Sequence, residues 1–482
     1  MAKTFVRSCA LLAVFAVLAS GCGGPVSSIP YAGISPASAL RQAAEEAPLS
    51  SCLDTNKQLR TPVDPNAPRE KAAYETWIAQ NAIPVRSESC DRDFSDLQPF
   101  GAIVGDKRIV GLGESSHGVG DYSTLKVRLI KYLHEKLGFD VIAFEYPMFQ
   151  DYKVNEEIRS FSPKHAMIHG CYGVWWSSEV LPLFRYIKEQ ASTSHPLILA
   201  GFDIQQYMGL NGRAAAFREV IAPVDPAYAD RVAQQDLAYF TFLLGYTYPV
   251  PRKWRHDLHA MLPGLTDFYS DVSAWMERHM TRLVAAAKDK KLPGLMQQVA
   301  NTAPAYAQEL YILNNNRSSS VRDEAMAADV KYLATRLYPD KKIILWSHSE
   351  HIALGKVGWK NMGSRIQDDF GDAYYATGLL PFRGHGAYNN GQVYREPRPP
   401  RDSIDAILYY TRWRWAYVDM SQPRRGAGDE WMWGPPLRYD TFGSYYMSPP
   451  ATPRKLYNGL MYVYLIHPPN YLGPRGARPR EL

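Results

Sequence analysis

Glu114 and His117 stand three residues apart in GLGESSHGVGDY, residues 111–122, where a short apolar strand runs into a glycine-lined turn. A carboxylate beside an imidazole suits general acid–base chemistry, because the carboxylate orients the ring and raises its basicity. A hydrogen-bonded structural histidine is the competing reading of so short a spacing. Glycines on both sides let the backbone come close to a ligand, which favours the first reading. Further ionisable groups recur at corresponding places along the chain. Glu145 ends the run DVIAFE, Asp203 ends PLILAGFD, and His348 ends KKIILWSH with His351 just beyond it. Together these supply carboxylates and imidazoles for acid–base work or for a metal. Lys126, on the helix after the turn, is a candidate for the same rim. Trp175 and Trp176, in GCYGVWWSSEV, are candidates for an aromatic wall against a substrate.

Strands must hold these groups. Apolar runs at 108–113, 140–145, 196–203, 341–348 and 373–380 read as buried strands. Between the first two, YSTLKVRLIKYLHEKLG sets Leu125, Leu129, Tyr132 and Leu133 at helical spacing, and Gly138 makes a fitting stop. Strand, helix and strand in so short a span form a βαβ unit, so the sheet should be largely parallel. From about 205 to 338 the chain reads as long helices without a strand, an insertion that returns to the sheet at Lys341. After 382, WAYVDM (415–420) and LMYVYLIH (460–467) read as added strands. The expected fold is α/β: a mainly parallel sheet flanked by helices, with a helical insertion and extra C-terminal strands. In open parallel sheets ligands bind outside the carboxyl ends of the strands, where Glu114, Glu145, Asp203 and His348 all fall.

The N-terminus carries Lys3 and Arg7, then an apolar run from Ala10 to Leu18, then small residues up to Cys22. That layout predicts a signal peptide over 1–21. Its ending, LASGC, resembles a bacterial lipobox with Ala19 where leucine is usual, which makes Cys22 the expected lipidation site. Residues 22–48 read as a flexible tether, 49–472 as one α/β domain, and 473–482 as a disordered basic tail. The expected location is the bacterial cell envelope, exported and lipid-anchored, facing the periplasm or the cell surface. An oxidising compartment makes a Cys52–Cys90 disulfide plausible, contributing about 3 kcal/mol if unstrained. Cys171 is then a buried unpaired thiol. A net charge of +6 over 482 residues is small, no segment resembles a nucleic-acid module, and no nucleic-acid partner is expected.

DFSDLQPFGAIVGDKRIVGLGESSHGVGDYSTLKVRLIKYLHEKLGFDVIAFE resembles the opening of the erythromycin esterase family, whose hallmark is a Gly-Glu-x-[Ser/Thr]-His turn, a helix, and a strand ending in glutamate. LILAGFDIQ, RDEAMAADVKYL, LWSHSEHIALG and MGSRIQDDFGDAYYATGLL follow in the family's order. The resemblance implies that His117 is the essential histidine, with Glu114 and Glu145 as its carboxylates. It also implies that His348 and His351 form the family's His-Asn-x-His pair, with Ser349 in place of Asn. Lys126 stands where family members carry arginine. Lysine keeps the charge but cannot make a bidentate fork, which bears on the substrate more than on the reaction class.

The resemblance implies a hydrolase that opens a carboxylic ester or lactone with water, without a cofactor. His117 would take the proton and Glu114 or Glu145 would orient it. His348, His351 or Lys126 would steady the oxyanion or protonate the leaving alcohol. The substrate could be a macrolide, a cell-surface ester, a polysaccharide acyl group or a small lactone. No G-x-S-x-G elbow is present. One alternative binds Zn²⁺ or Mn²⁺ through Glu114, His117, Glu145, His348 and His351. Another is a haem- or ligand-binding lipoprotein with His117 as an exposed axial ligand.

Overall fold

The computed structural model describes residues 69–89, 93–205, 210–246, 250–314, 320–356, 359–422, 426–440 and 450–473. The expected signal peptide, tether, lipidation site Cys22, Cys52–Cys90 disulfide and tail beyond Gly473 lie outside them. Among the described residues nine strands form one sheet. They are β1 (Ile83–Pro84), β2 (Ile109–Glu114), β3 (Phe139–Pro147), β4 (Ile198–Asp203), β5 (Lys342–His348), β6 (Tyr374–Ala387), β7 (Val393–Glu396), β8 (Trp415–Asp419) and β9 (Gly459–Ile466). Their order is β1-β8-β9-β6-β2-β5-β3-β4, with β7 pairing β6. The run from β9 to β4 is parallel throughout. Among the described strands, antiparallel ladders form only where β1, β7 and β8 join. The strands read from the sequence all form; β1 and β7 were not foreseen, being too short to carry an alternation signal.

Parallel strands covered on both faces read as continuous apolar runs, and successive residues feed opposite layers. In β2, Ile109 packs into one core and Val110 and Leu112 into the other. Helix α1 (Gly120–Leu137) covers the second face through Leu125, Leu129 and Leu133. It stops at Gly138, whose φ of 70° is left-handed and favours glycine. The other face is covered by the insertion: α2 (Leu210–Ile221), α3 (Pro226–Leu244), α4 (Arg252–Ala286), α5 (Leu292–Asn314) and α6 (Val321–Tyr332). Among the described residues no strand interrupts these helices, as expected for 205–338. Among the described residues no helix is long and apolar enough to cross a membrane.

Candidate active site

β2 and β5 lie side by side in parallel register, with Glu114 opposite His348. The sheet therefore joins two ends that the sequence separates by more than two hundred residues. Gly113 makes this approach possible: a Cβ there would stand 2.7 Å from Ser349 Cα. Gly118 is equally confined, since a Cβ would come within 1.8 Å of the Ala387 carbonyl oxygen. Glu145 sits in β3 where the register against β4 shifts between Phe144 and Pro147. Such an irregularity re-aims a side chain at the end of a strand.

Glu114 is fully buried and its two oxygens are shared among three donors. Oε1 accepts from Trp175 Nε1 at 2.7 Å and pairs with His117 Nδ1 at 2.9 Å. Oε2 accepts from Lys126 Nζ at 2.6 Å. A carboxylate on Nδ1 fixes that nitrogen as the protonated one. Nε2 of His117 has no hydrogen-bond partner among the described residues and is left as the basic atom. The ring stands edge-on to Trp175 and His348, with centroids 5.0 and 5.4 Å away.

His348 is spoken for at both nitrogens. Nδ1 accepts from the Glu350 amide at 3.2 Å, so Nε2 carries the hydrogen and donates to the Ser115 carbonyl at 3.2 Å. Burial, reinforced by His117 and His351, holds this imidazole well below its usual range. His348 is therefore neutral and ties the Glu114 turn to β5.

Glu145 is the second hub. Its Oε2 accepts from Ser347 Oγ at 2.7 Å and the His348 amide at 3.0 Å, and its Oε1 from Arg322 Nη2 at 2.6 Å. Burial alone would raise this carboxyl, but His351, Arg322 and His117 outweigh it and hold it well below the usual carboxylate range. Arg322 also forks onto Asp203, Nε to Oδ1 at 3.0 Å and Nη2 to Oδ2 at 2.8 Å. Asp203 further accepts from Tyr172 and the Ile204 amide. Its oxygens are thus engaged within the protein rather than turned to a substrate.

Arg322 and Asp323 were missed in the sequence. They sit at the start of α6, far along the sequence from any strand end. One signal existed: a cation in the first turn of a helix runs against the helix dipole and needs a local reason. Asp323 Oδ1 pairs with His351 Nδ1 at 2.8 Å.

Lys126 is no surface lysine. It is fully buried, over the Trp346 ring at 4.5 Å. Burial pushes its ammonium below the usual range, and Glu114 opposes that shift. The two tryptophans part company. Trp175 reaches the site, but as a buried hydrogen-bond donor to Glu114 rather than an open wall. Trp176 is buried with its Nε1 donating to the Cys171 carbonyl, a packing role. Cys171 is a free, buried thiol.

Among the described residues no group of three or more His, Cys, Asp and Glu side chains could hold a metal ion. The donor atoms of the five-residue alternative set do not converge: Lys126 lies against Glu114, Arg322 lies against Glu145, and His348 has neither nitrogen to spare. The axial-ligand alternative needs an open imidazole, whereas the His117 side chain is 12% exposed between two rings.

Comparison with known proteins bears on the family and the fold. The sequence profile described as Erythromycin esterase matches residues 134–463, which include Glu145, His348 and His351; the Glu114–His117 turn lies upstream. YbfO of Bacillus subtilis (strain 168) is 27% identical over 427 residues, covering 83% of this chain and 93% of YbfO. Erythromycin esterase type II of Escherichia coli is 22% identical over 349 residues, covering 65% of this chain and 78% of its own. Among solved structures, a succinoglycan biosynthesis protein superimposes with a TM-score of 0.66 at 16% identity, covering 84% of this chain and all of that one. A mutant of the erythromycin esterase EreC in its open conformation gives 0.62 at 17% identity, covering 79% of this chain and 96% of that one. These structures share the fold, and the profile spans well over half the sequence: the chain belongs to the erythromycin esterase family.

Proposed function

We propose that the protein hydrolyses a carboxylic ester or lactone with a water molecule activated by His117. The observation that carries this reading is the pairing of His117 Nδ1 with Glu114 Oε1 at 2.9 Å, which leaves Nε2 free at the rim of the sheet. Water attacks the acyl carbon as Nε2 takes its proton, a step that positioned histidines accelerate by about 10²–10⁴-fold. Arg322 and Glu145 act behind the histidines, fixing them rather than meeting the substrate. Small-molecule esters are the substrate class; macrolides, simple lactones and acylated polysaccharides form the panel to assay. Turnover lost in His117→Ala and unaffected by chelator supports the reading. Turnover lost on chelation and restored by Zn²⁺ or Mn²⁺ refutes it in favour of a metal-bound hydroxide.

We also propose that the chain is exported and acylated on Cys22, on the strength of its N-terminal charge, apolar run and small-residue ending. Labelling with radioactive palmitate in the wild type but not in Cys22→Ser is the expected result; equal labelling overturns it.

A further inference from the structure

We propose that Asp323 and Arg322 are positioning residues that make His351 the proton donor to the leaving alcohol. This deepens the hydrolase reading and rests on it. Besides His117, to which the first step gives the proton of water, four residues of the cluster could supply that proton. Arg322 does not release one at working pH. Lys126 is locked onto Glu114 Oε2 and lies 3.4 Å from the Ser347 carbonyl. His348 is neutral, and its one hydrogen is given to Ser115. His351 remains.

Its surroundings are built for a change of state at one nitrogen. Asp323 holds Nδ1 at 2.8 Å and is itself fixed by the Met362 amide on Oδ1 and Trp359 Nε1 on Oδ2, each at 2.8 Å. A carboxylate so anchored keeps Nδ1 protonated whether or not the ring is charged. All the exchange falls on Nε2, which has two different neighbours. Glu145 Oε1 lies 3.7 Å away and attracts a protonated Nε2. Arg322 Nη1 lies 3.3 Å away and can donate only to an unprotonated one. Each state of the ring thus has its own partner waiting, in a site where an unmet polar atom would be costly. The groups facing the ring are Asp323 and Arg322 from α6, Glu145 from β3 and the neutral His348 from β5. Burial works against the imidazolium, yet Asp323 and Glu145 outweigh it and raise His351 to about 9. The ring is loaded at neutral pH.

The step balances without a further reactant. Water gives its hydroxyl to the acyl carbon and its proton to His117. The acyl carbon–oxygen bond then breaks, and the departing alkoxide takes the Nε2 proton of His351. The discharged Nε2 accepts from Arg322 until a proton from solvent, replacing the one His117 releases, reloads it.

The test uses leaving groups of different basicity on the full-length protein. 4-Nitrophenyl butyrate leaves as a stabilised phenolate and needs no donor; ethyl butyrate does. Asp323→Asn is expected to lose about 100-fold on the ethyl ester with little change on the aryl ester, and Asp323→Glu to recover part of the loss. Equal losses on both esters overturn the proposal. A measurement on the wild type guards against a misfolded variant: with ¹⁵N-histidine labelling, His351 Nδ1 should stay protonated while Nε2 titrates on the alkaline side of neutrality. Titration at Nδ1 overturns the pairing whatever the esters do. A wild type that cleaves neither ester refutes the hydrolase reading and the donor role with it, and the nitrogen shifts then report on the Asp323–His351 pair alone.

Discussion

Lys126 Nζ stands 2.6 Å from Glu114 Oε2, with neither side chain exposed to water. Two charges taken out of water together are tolerable; one left alone is not. Lys126→Met should therefore lower stability by about 3–5 kcal/mol, the range for breaking a buried pair from one side. Lys126→Arg keeps the charge and should recover part of that loss. Urea unfolding followed by circular dichroism separates the two variants, and a Met variant as stable as the wild type would show that Glu114 has other compensation.

Glu145→Gln removes the charge that Arg322 and His351 share while keeping the side chain's size. The expected result is a folded protein whose kcat/KM falls about 100-fold or more, because both the fixed dipoles and the loaded ring are disturbed. Near-UV circular dichroism establishes the fold, and turnover on the best ester of the panel gives the loss.

His134 governs part of the acid limb of stability. It is buried against Tyr186, whose hydroxyl lies 2.7 Å from Nδ1, and burial, with neighbouring His195, lowers its pKa to about 4. The folded state keeps the ring neutral while the unfolded chain takes up a proton near 6.5. Its contribution is thus fully present above 6.5 and is lost as pH falls toward 4. His169, also lowered to about 4, adds in the same sense. The thermal midpoint should drop across this window, and less steeply in His134→Asn. Parallel curves for the two proteins would remove His134 from the account.

Cys171 should resist iodoacetamide in the native protein and react after unfolding. Burial pushes its thiol well above the usual range, and only the thiolate attacks. Peptide mapping distinguishes Cys171 from the other cysteines; modification of Cys171 under native conditions would mean that the helix Pro163–Gly170 opens locally.

The strands of the parallel run were legible because buried strands write themselves as apolar runs ending in turn residues. Glu114, Glu145, Asp203 and His348 were legible for the same reason: each interrupts such a run at its carboxyl end. Arg322 and Asp323 were not, since a helix start offers no comparable frame and their partners lie at the ends of other elements. Lys126 could be placed on α1 but not on a face of the site, because a lysine among apolar residues at helical spacing fits solvent as well as a buried partner. Trp175 and Trp176 shared one expectation and received two roles, which adjacent residues on one short helical turn commonly do.

Among the described residues β2 pairs only with β5 and β6, both of which arrive late in the chain. A growing polypeptide that has reached the end of the helical insertion already holds Glu114, His117, Glu145 and Asp203, yet the strand beneath the Glu114–His117 turn has no neighbour to pair with. Non-local pairing of this kind delays assembly until the distant partner is available. A fragment ending before Lys342 therefore holds no described neighbour strand for β2, and a prematurely released chain carries these side chains without the sheet that gathers them.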